Sequence, residues 1–214
     1  VNLLGVCQGG TFSLCYTALY GHKVRNLVTM VTPVDFHTED NVLSKWVRKV
    51  DLDRLVGCYG NVPGTLLNAL FLAMQPFRLG SKKYLDLVDL ADDPEGLRTF
   101  ARMERWIADS PDQAGRTFRE FVGALFQRNA LVAGELVLDG KVVDLGEIRC
   151  PVLNVYALAD HLVPASASRA LADHVASTDY SELRFDGGHI GIYVSRDAQE
   201  KVPPAVAAWL QKRP

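Results

Sequence analysis

The sequence is notable first for what it has little of. Lysine and arginine number 23 against 25 aspartate and glutamate, a formal net charge of −2 over 214 residues. So even a balance leaves no basic footprint for nucleic acid. Its four cysteines, Cys7, Cys15, Cys58 and Cys150, include no C-x-x-C pair. That excludes the usual zinc spacing and a disulfide scaffold, and it fits a reducing, cytoplasmic compartment. No apolar run reaches the roughly 20 residues of a membrane-spanning helix, and no signal-peptide pattern is visible. Internal repeats and low-complexity segments are absent. Nothing in the pattern calls for a cofactor or a metal.

What is present suits an ordinary globular chain, 48% hydrophobic and 22% charged, large enough for one domain with a substantial core and an insertion. VNLLGV (1–6) reads as a buried strand. A helix follows over TFSLCYTALYG, and VRNLVTMVTP (24–33) is a β-branched second strand. Strand, helix and strand at this spacing make a βαβ unit, hence a parallel sheet. From 34 to 150 helical periodicity dominates, in NVLSKWVRKV, GTLLNALFLAMQPF, GLRTFARMERWIADS and AGRTFREFVGALFQRN. Asp139–Gly140 then marks a small hairpin. The strand–helix alternation resumes with CPVLNVYALAD, a helix over ASASRALADHVA, a strand over YSELRF, and a closing helix PPAVAAWLQKR with Pro203 or Pro204 near its start. The expected organisation is therefore an α/β core over 1–33 and 151–214, interrupted by a helical insertion over 34–150.

One short stretch asks for chemistry. GVCQGG places Cys7 among Gly5, Gly9 and Gly10, after an apolar run and before a helix. A nucleophile on a sharp strand-to-helix turn needs small neighbours, and G-x-C-x-G is that elbow with sulfur in place of serine oxygen. A thiol needs a base, and the base an orienting acid. Asp160 lies just past the strand PVLNVYA, and His189 just past ELRF in DGGHIGIYV, where Gly187 and Gly188 free the backbone to turn the imidazole inward. The order Cys7, Asp160, His189 is the α/β-hydrolase order. The backbone N–H of Gln8 would supply half of an oxyanion site. His161 is expected to support the acid or position substrate. Asp186 is a rival acid, but it shares the loop of His189. Cys15, Cys58 and Cys150 read as packing residues, and His22, His37 and His174 as surface residues. Asp160 could alternatively cap the helix that follows it. The run LLNALFLAM reads as the core of the insertion, with a partner or polymer surface as the alternative. The arginines Arg98, Arg102, Arg105, Arg116, Arg119 and Arg128 read as a solvated helix face.

GVCQGG, DSPDQAGRTFREF, ALADHLVP and GGHIGIYVS together resemble the polyhydroxyalkanoate synthases, specifically the class III, two-subunit type, along the whole chain. The resemblance implies an α/β-hydrolase-type parallel sheet carrying a helical cap that covers the site and moves to admit substrate. It implies an acyltransferase that polymerises (R)-3-hydroxyacyl-CoA into polyester with release of coenzyme A. The catalytic cysteine, aspartate and histidine would fall on Cys7, Asp160 and His189. A second, non-catalytic subunit, a homodimer through the cap, and a place at the surface of cytoplasmic polyester granules are further implications. A cysteine-dependent hydrolase of the dienelactone-hydrolase or thioesterase type is the competing reading, and its compactness sets it apart from a chain with so long an insertion. The chain begins at Val1 within a strand, so it is expected to be the C-terminal part of a longer protein. It would then lack the strands beyond VNLLGV and the loop giving the second oxyanion donor, and alone be poorly soluble and weakly active.

Overall fold

Four short segments, each ending where a loop begins, form one parallel sheet in the computed structural model, which describes residues 1–213. The strands in chain order are β1 (Asn2–Val6), β2 (Asn26–Met30), β3 (Val137–Leu138), β4 (Lys141–Val142), β5 (Val152–Ala157) and β6 (Tyr180–Phe185). The sheet runs β1-β2-β5-β6, and β3 pairs antiparallel with β4 as a separate hairpin. Asp139 and Gly140 both have positive φ (50° and 71°), the geometry of a two-residue type I′ turn.

The two central strands are buried along their whole length, as a sheet covered on both faces requires. Their polar residues are satisfied inside. Thr29 Oγ1 donates to Asn154 Oδ1 at 3.0 Å, and Asn154 Nδ2 donates to the Ser168 carbonyl at 2.8 Å. An unpaired amide or hydroxyl there would cost about 1–3 kcal/mol. VNLLGV, expected to be buried, is not: of β1 only Gly5 is buried, and Leu4 is 49% exposed. The reason is position, because β1 pairs with β2 alone among the described residues.

Two other expectations need correction. The closing helix begins at Arg196, not at the prolines, and runs to Gln211 with Pro203 and Pro204 inside it. Ser195 Oγ caps it by accepting from Ala198 N at 3.2 Å. The prolines remove the donors for the carbonyls of Gln199 and Glu200, but both residues are exposed, so water can replace those bonds. The helix over ASASRALADHVA is divided at Ala170 into Ala165–Arg169 and Leu171–His174.

The chain divides into two compact units, Val1–Arg48 with Ala124–Pro214, and Lys49–Gly123. Thus 34–48 and 124–150, read from the sequence with the insertion, lie in the unit that carries the sheet. The second unit holds the helices Leu52–Tyr59, Gly64–Met74, Pro94–Ala108 and Gly115–Phe121. The motif DSPDQAG (109–115) closes it. Gly64 N donates to Asp112 Oδ1 at 3.0 Å, while Val62 and Gln113 exchange two backbone hydrogen bonds at 2.9 Å. A Cβ on Gly64 would collide with the Ser110 carbonyl and one on Gly115 with the Gly60 carbonyl, so both glycines are set by close backbone approach. The helix Gly64–Met74 buries only Gly64 fully, and Leu66 and Leu72 are exposed, so LLNALFLAM is a half-buried face and not a core. Of the arginines in this unit, Arg98 pairs with Glu95 (2.6 Å), Arg116 with Glu120 (2.9 Å) and Arg119 with Asp53 (2.9 Å), all on exposed surfaces.

Candidate active site

Cys7 sits between β1 and the helix Gln8–Tyr20 with φ 51° and ψ −123°, a backbone region that a residue with a Cβ rarely adopts. Such a conformation costs about 1–3 kcal/mol and persists only where its surroundings impose it. Here the Cys7 N–H donates to the Met30 carbonyl at the end of β2 (2.9 Å), and the Cys7 carbonyl accepts from Gly10 N and Thr11 N. Two of the three flanking glycines are required. A Cβ on Gly5 would strike the Ser13 hydroxyl and the backbone of Gly9 and Gly10, and one on Gly10 would strike Thr32. Gly9 has nothing within 4 Å of its would-be Cβ. The elbow therefore needs glycine on the strand side and where the helix crosses Thr32, but not at Gly9.

The loops after β5 and β6 bring Asp160 and His189 together. They are tied by backbone bonds, Leu158 N to the Phe185 carbonyl and Ala159 N to the Gly187 carbonyl, both at 2.9 Å. His189 Nδ1 donates to Asp160 Oδ2 at 2.7 Å, and both residues are buried. Asp160 Oδ1 accepts from Leu162 N and Val163 N, each at 2.9 Å, so the carboxylate has three donors although its side chain has no exposed surface. One oxygen orients the imidazole and the other holds the loop of Asp160 itself; the expected cap on the next helix is not made, since Ala165–Arg169 starts after Pro164 with no side-chain cap. Asp186, the rival acid, is exposed. Gly187 and Gly188 do not take positive φ; Gly187 is needed because a Cβ would collide with the Phe185 ring.

With Nδ1 committed to Asp160, the other ring nitrogen of His189 is the one available to Cys7. Burial pushes the imidazole towards neutrality. The hydrogen bonds to Asp160 and Cys7 and the charges of both outweigh it and raise the pKa to about 10. The first N–H groups of a helix have no intrahelical partner, and that of Gln8 follows the Cys7 turn directly. Cys15 and Cys150 lie elsewhere, with thiols pushed up by burial, Cys15 to about 11, as inert packing cysteines should be. Cys58 is exposed. His161, next to Asp160, is partly buried. Among the described residues no cluster of metal ligands occurs and no helix is long and apolar enough to cross a membrane.

Two features escaped the sequence reading. Val31, just past β2, has φ 44°, a rare state for a β-branched residue, and nothing in VTMVTP signals it. Tyr193, four residues beyond His189, packs against the same apolar cluster as Cys7; its only signal is its place in HIGIY.

Known proteins with similar sequences share a name. The chain is 60% identical over 213 residues to the poly(3-hydroxyalkanoate) polymerase subunit PhaC of Allochromatium vinosum, covering all of this chain and 60% of that protein. It is 56% identical to the same subunit of Thiocystis violacea (100% and 60% covered) and 47% identical to that of Synechocystis (100% and 58%). It thus spans about three-fifths of the length of these relatives. Solved structures support the fold alone. A monoacylglycerol lipase of Paleococcus ferrophilus matches with TM-score 0.52 at 17% identity (99% of this chain, 68% of that one), and an esterase of Thermogutta terrifontis with 0.52 at 14% (99% and 65%). A family model described as alpha/beta hydrolase fold matches residues 1–195, and on that match the chain belongs to the α/β hydrolase family.

Proposed function

We propose that this chain carries the catalytic residues of a polyhydroxyalkanoate synthase, an acyltransferase that builds polyester from (R)-3-hydroxyacyl-CoA through an acyl group on Cys7. The observation that carries the reading is the union of a strained cysteine elbow with a buried Asp160–His189 pair in a chain so similar to polymerase subunits.

His189 Nε2 takes the Cys7 proton, and the thiolate attacks the carbonyl carbon of the thioester. The tetrahedral oxyanion accepts from the Gln8 N–H at the positive end of the helix Gln8–Tyr20. The C–S bond to coenzyme A breaks, and the leaving thiolate receives the proton from His189. A 3-hydroxyl then attacks the Cys7 thioester, its proton passing to His189 as the Cys7 sulfur leaves. Sulfur suits this cycle: exchange of one thioester for another is nearly balanced in free energy, so loading is reversible and the acyl group stays activated. Asp160 fixes the histidine tautomer and stabilises its charge; its oxygens are already engaged by three donors, which leaves it poorly placed to activate the incoming hydroxyl itself. His161 would hold the loop of Asp160 or position substrate. A second, non-catalytic subunit, contact between copies through the helical unit, and a location at the polyester granule belong to the same proposal. The word subunit in the relatives' name supports the first.

The test is incubation with (R)-3-hydroxybutyryl-CoA, measuring coenzyme A release and product. Release with polymer is expected. Release with free 3-hydroxybutyrate would replace the proposal with a cysteine-dependent hydrolase of the dienelactone-hydrolase or thioesterase type, and no release in the presence of the partner subunit would end it.

A further inference from the structure

We propose that Thr32 is a positioning residue of this site: its buried hydroxyl, bonded to the same carbonyl that receives the Cys7 N–H, holds the strained turn that presents the Cys7 sulfur. The inference rests on the proposed role of Cys7 as nucleophile and adds a residue which that role does not require.

Thr32 lies in the loop that leaves β2, and the Met30–Val31 peptide before it is held from both sides. The Met30 carbonyl accepts from Cys7 N at 2.9 Å, and Val31 N donates to the Val155 carbonyl of β5 at 2.8 Å. At Val31 the chain bends through φ 44°, which a β-branched residue rarely adopts. Past that bend Thr32 Oγ1 donates back to the Met30 carbonyl at 3.2 Å. Both acceptor sites of that oxygen are then used, one by the backbone of the nucleophile and one by Thr32. The Thr32 side chain also lies against Gly10, where a Cβ would collide with its hydroxyl and its methyl. Pro33 extends the contact, its carbonyl accepting from Thr11 Oγ1 at 3.0 Å. Gly10 and Thr11 are the residues whose N–H groups donate to the Cys7 carbonyl. Residues 32 and 33 therefore touch the partners of both the N–H and the carbonyl of Cys7.

This hold is anchored in turn to the segment that follows the acid. Ser168 Oγ donates to the Thr32 carbonyl at 2.8 Å, and Val34 N and Asp35 N donate to the Ala167 carbonyl at 3.0 and 3.2 Å. Ala167 and Ser168 belong to the helix Ala165–Arg169, which comes directly after the loop of Asp160. Asn154 Nδ2 of β5 fixes that helix from below by donating to the Ser168 carbonyl at 2.8 Å. Thr32, Ala167 and Ser168 have no exposed surface, so water cannot stand in for a bond lost among them. One short loop thus ties the turn of the nucleophile to the chain that leaves Asp160. A residue that only filled this space could be valine, as its neighbour Val31 is. The hydroxyl at 32 adds a bond to the one carbonyl that fixes the Cys7 N–H.

The experiment measures the rate of Cys7 alkylation by iodoacetamide against pH, located by peptide mass spectrometry, in the full chain and four variants. Thr32→Val keeps the shape of the side chain and removes the hydroxyl, whereas Thr32→Ser removes the methyl and keeps the hydroxyl. Thr17→Val is the control, since that equally buried hydroxyl donates to the Ser13 carbonyl (2.7 Å) farther along the helix Gln8–Tyr20. Losing one hydrogen bond that holds the turn should raise the alkylation midpoint by about half to one pH unit in Thr32→Val, roughly three- to tenfold less thiolate below the midpoint. Thr32→Ser and Thr17→Val should match the parent. Ser168→Ala cuts the tie from the other side and stands in for Thr32→Val should that variant not fold; its midpoint should rise in the same direction. A midpoint unchanged in Thr32→Val or in Ser168→Ala would overturn the inference. So would a shift in Thr17→Val or Thr32→Ser equal to that of Thr32→Val, because general loosening of the core would then explain it. If Cys7 of the parent is alkylated no faster than the exposed Cys58, the proposed nucleophile itself fails and this inference with it, a result read from the parent alone.

Discussion

Replacing Asp160 with asparagine separates the two parts that a carboxylate could play here. The side chain is isosteric, and its remaining oxygen can still accept from Leu162 N and Val163 N, so the loop should hold. The change falls on the 2.7 Å contact, where an amide N–H would meet His189 Nδ1–H. The ring must then flip its tautomer and present Nε2–H to Cys7, unable to take the thiol proton. Loss of a hydrogen bond to a charged group is worth about 1.5–3 kcal/mol, or roughly 10- to 150-fold. Reversing the tautomer in a serine enzyme lowers turnover by about 10⁴. Thiols ionise more readily than hydroxyls, so a fall of about 10²–10⁴ in single-turnover loading is expected, measured as the burst of coenzyme A from a stoichiometric pulse of (R)-3-hydroxybutyryl-CoA. Loading within threefold of the parent, with elongation lost, would refute the reasoning and assign Asp160 to the incoming hydroxyl.

Other substitutions probe separate links. Gly10→Ala drives a methyl into Thr32 and should cost about 1–3 kcal/mol in thermal unfolding. Gly9→Ala meets nothing and should be neutral or stabilising by up to about 1 kcal/mol, the propensity difference in a helix. The raised pKa of His189 contributes stability that is fully present below about 6.5 and lost as pH rises through about 10. The melting-temperature advantage of the parent over His189→Gln should therefore shrink across that window, and an advantage that grows with pH would contradict the charge arrangement. Asp112→Ala removes the cap on Gly64 and should cost about 1 kcal/mol in the helical unit without altering Cys7 alkylation, read by hydrogen exchange over 49–123.

Much of this site was legible because its constraints are local. The strained turn at Cys7 leaves a trace in its glycines, and the loops after β5 and β6 leave theirs in an aspartate and a histidine following apolar runs. Burial of β1 was misread because a short apolar run looks alike in the middle of a sheet and at its edge; only the pairing tells them apart. The closing helix was placed too late because Pro203 and Pro204 look like a start signal, and their tolerance depends on Gln199 and Glu200 facing water. Gly9 and Gly10 are identical in sequence, yet only one lies against Thr32. Tyr193 and the positive φ of Val31 arise from how separate segments meet, which periodicity cannot report. DSPDQAG, read as a mark of kinship, proves to be the stitch that closes a helical unit through Asp112, Gln113 and Gly115.

The most direct test of the central claim is to trap the acyl-enzyme with (R)-3-hydroxybutyryl-CoA, quench in acid, and map the adduct by peptide mass spectrometry. One 3-hydroxybutyryl group, or a short chain of them, is expected on Cys7, removable by neutral hydroxylamine and absent from Cys7→Ala, while Cys15→Ala, Cys58→Ala and Cys150→Ala load normally. Acylation that persists in Cys7→Ala, or coenzyme A release with Cys7 unmodified at every time point, would contradict the account.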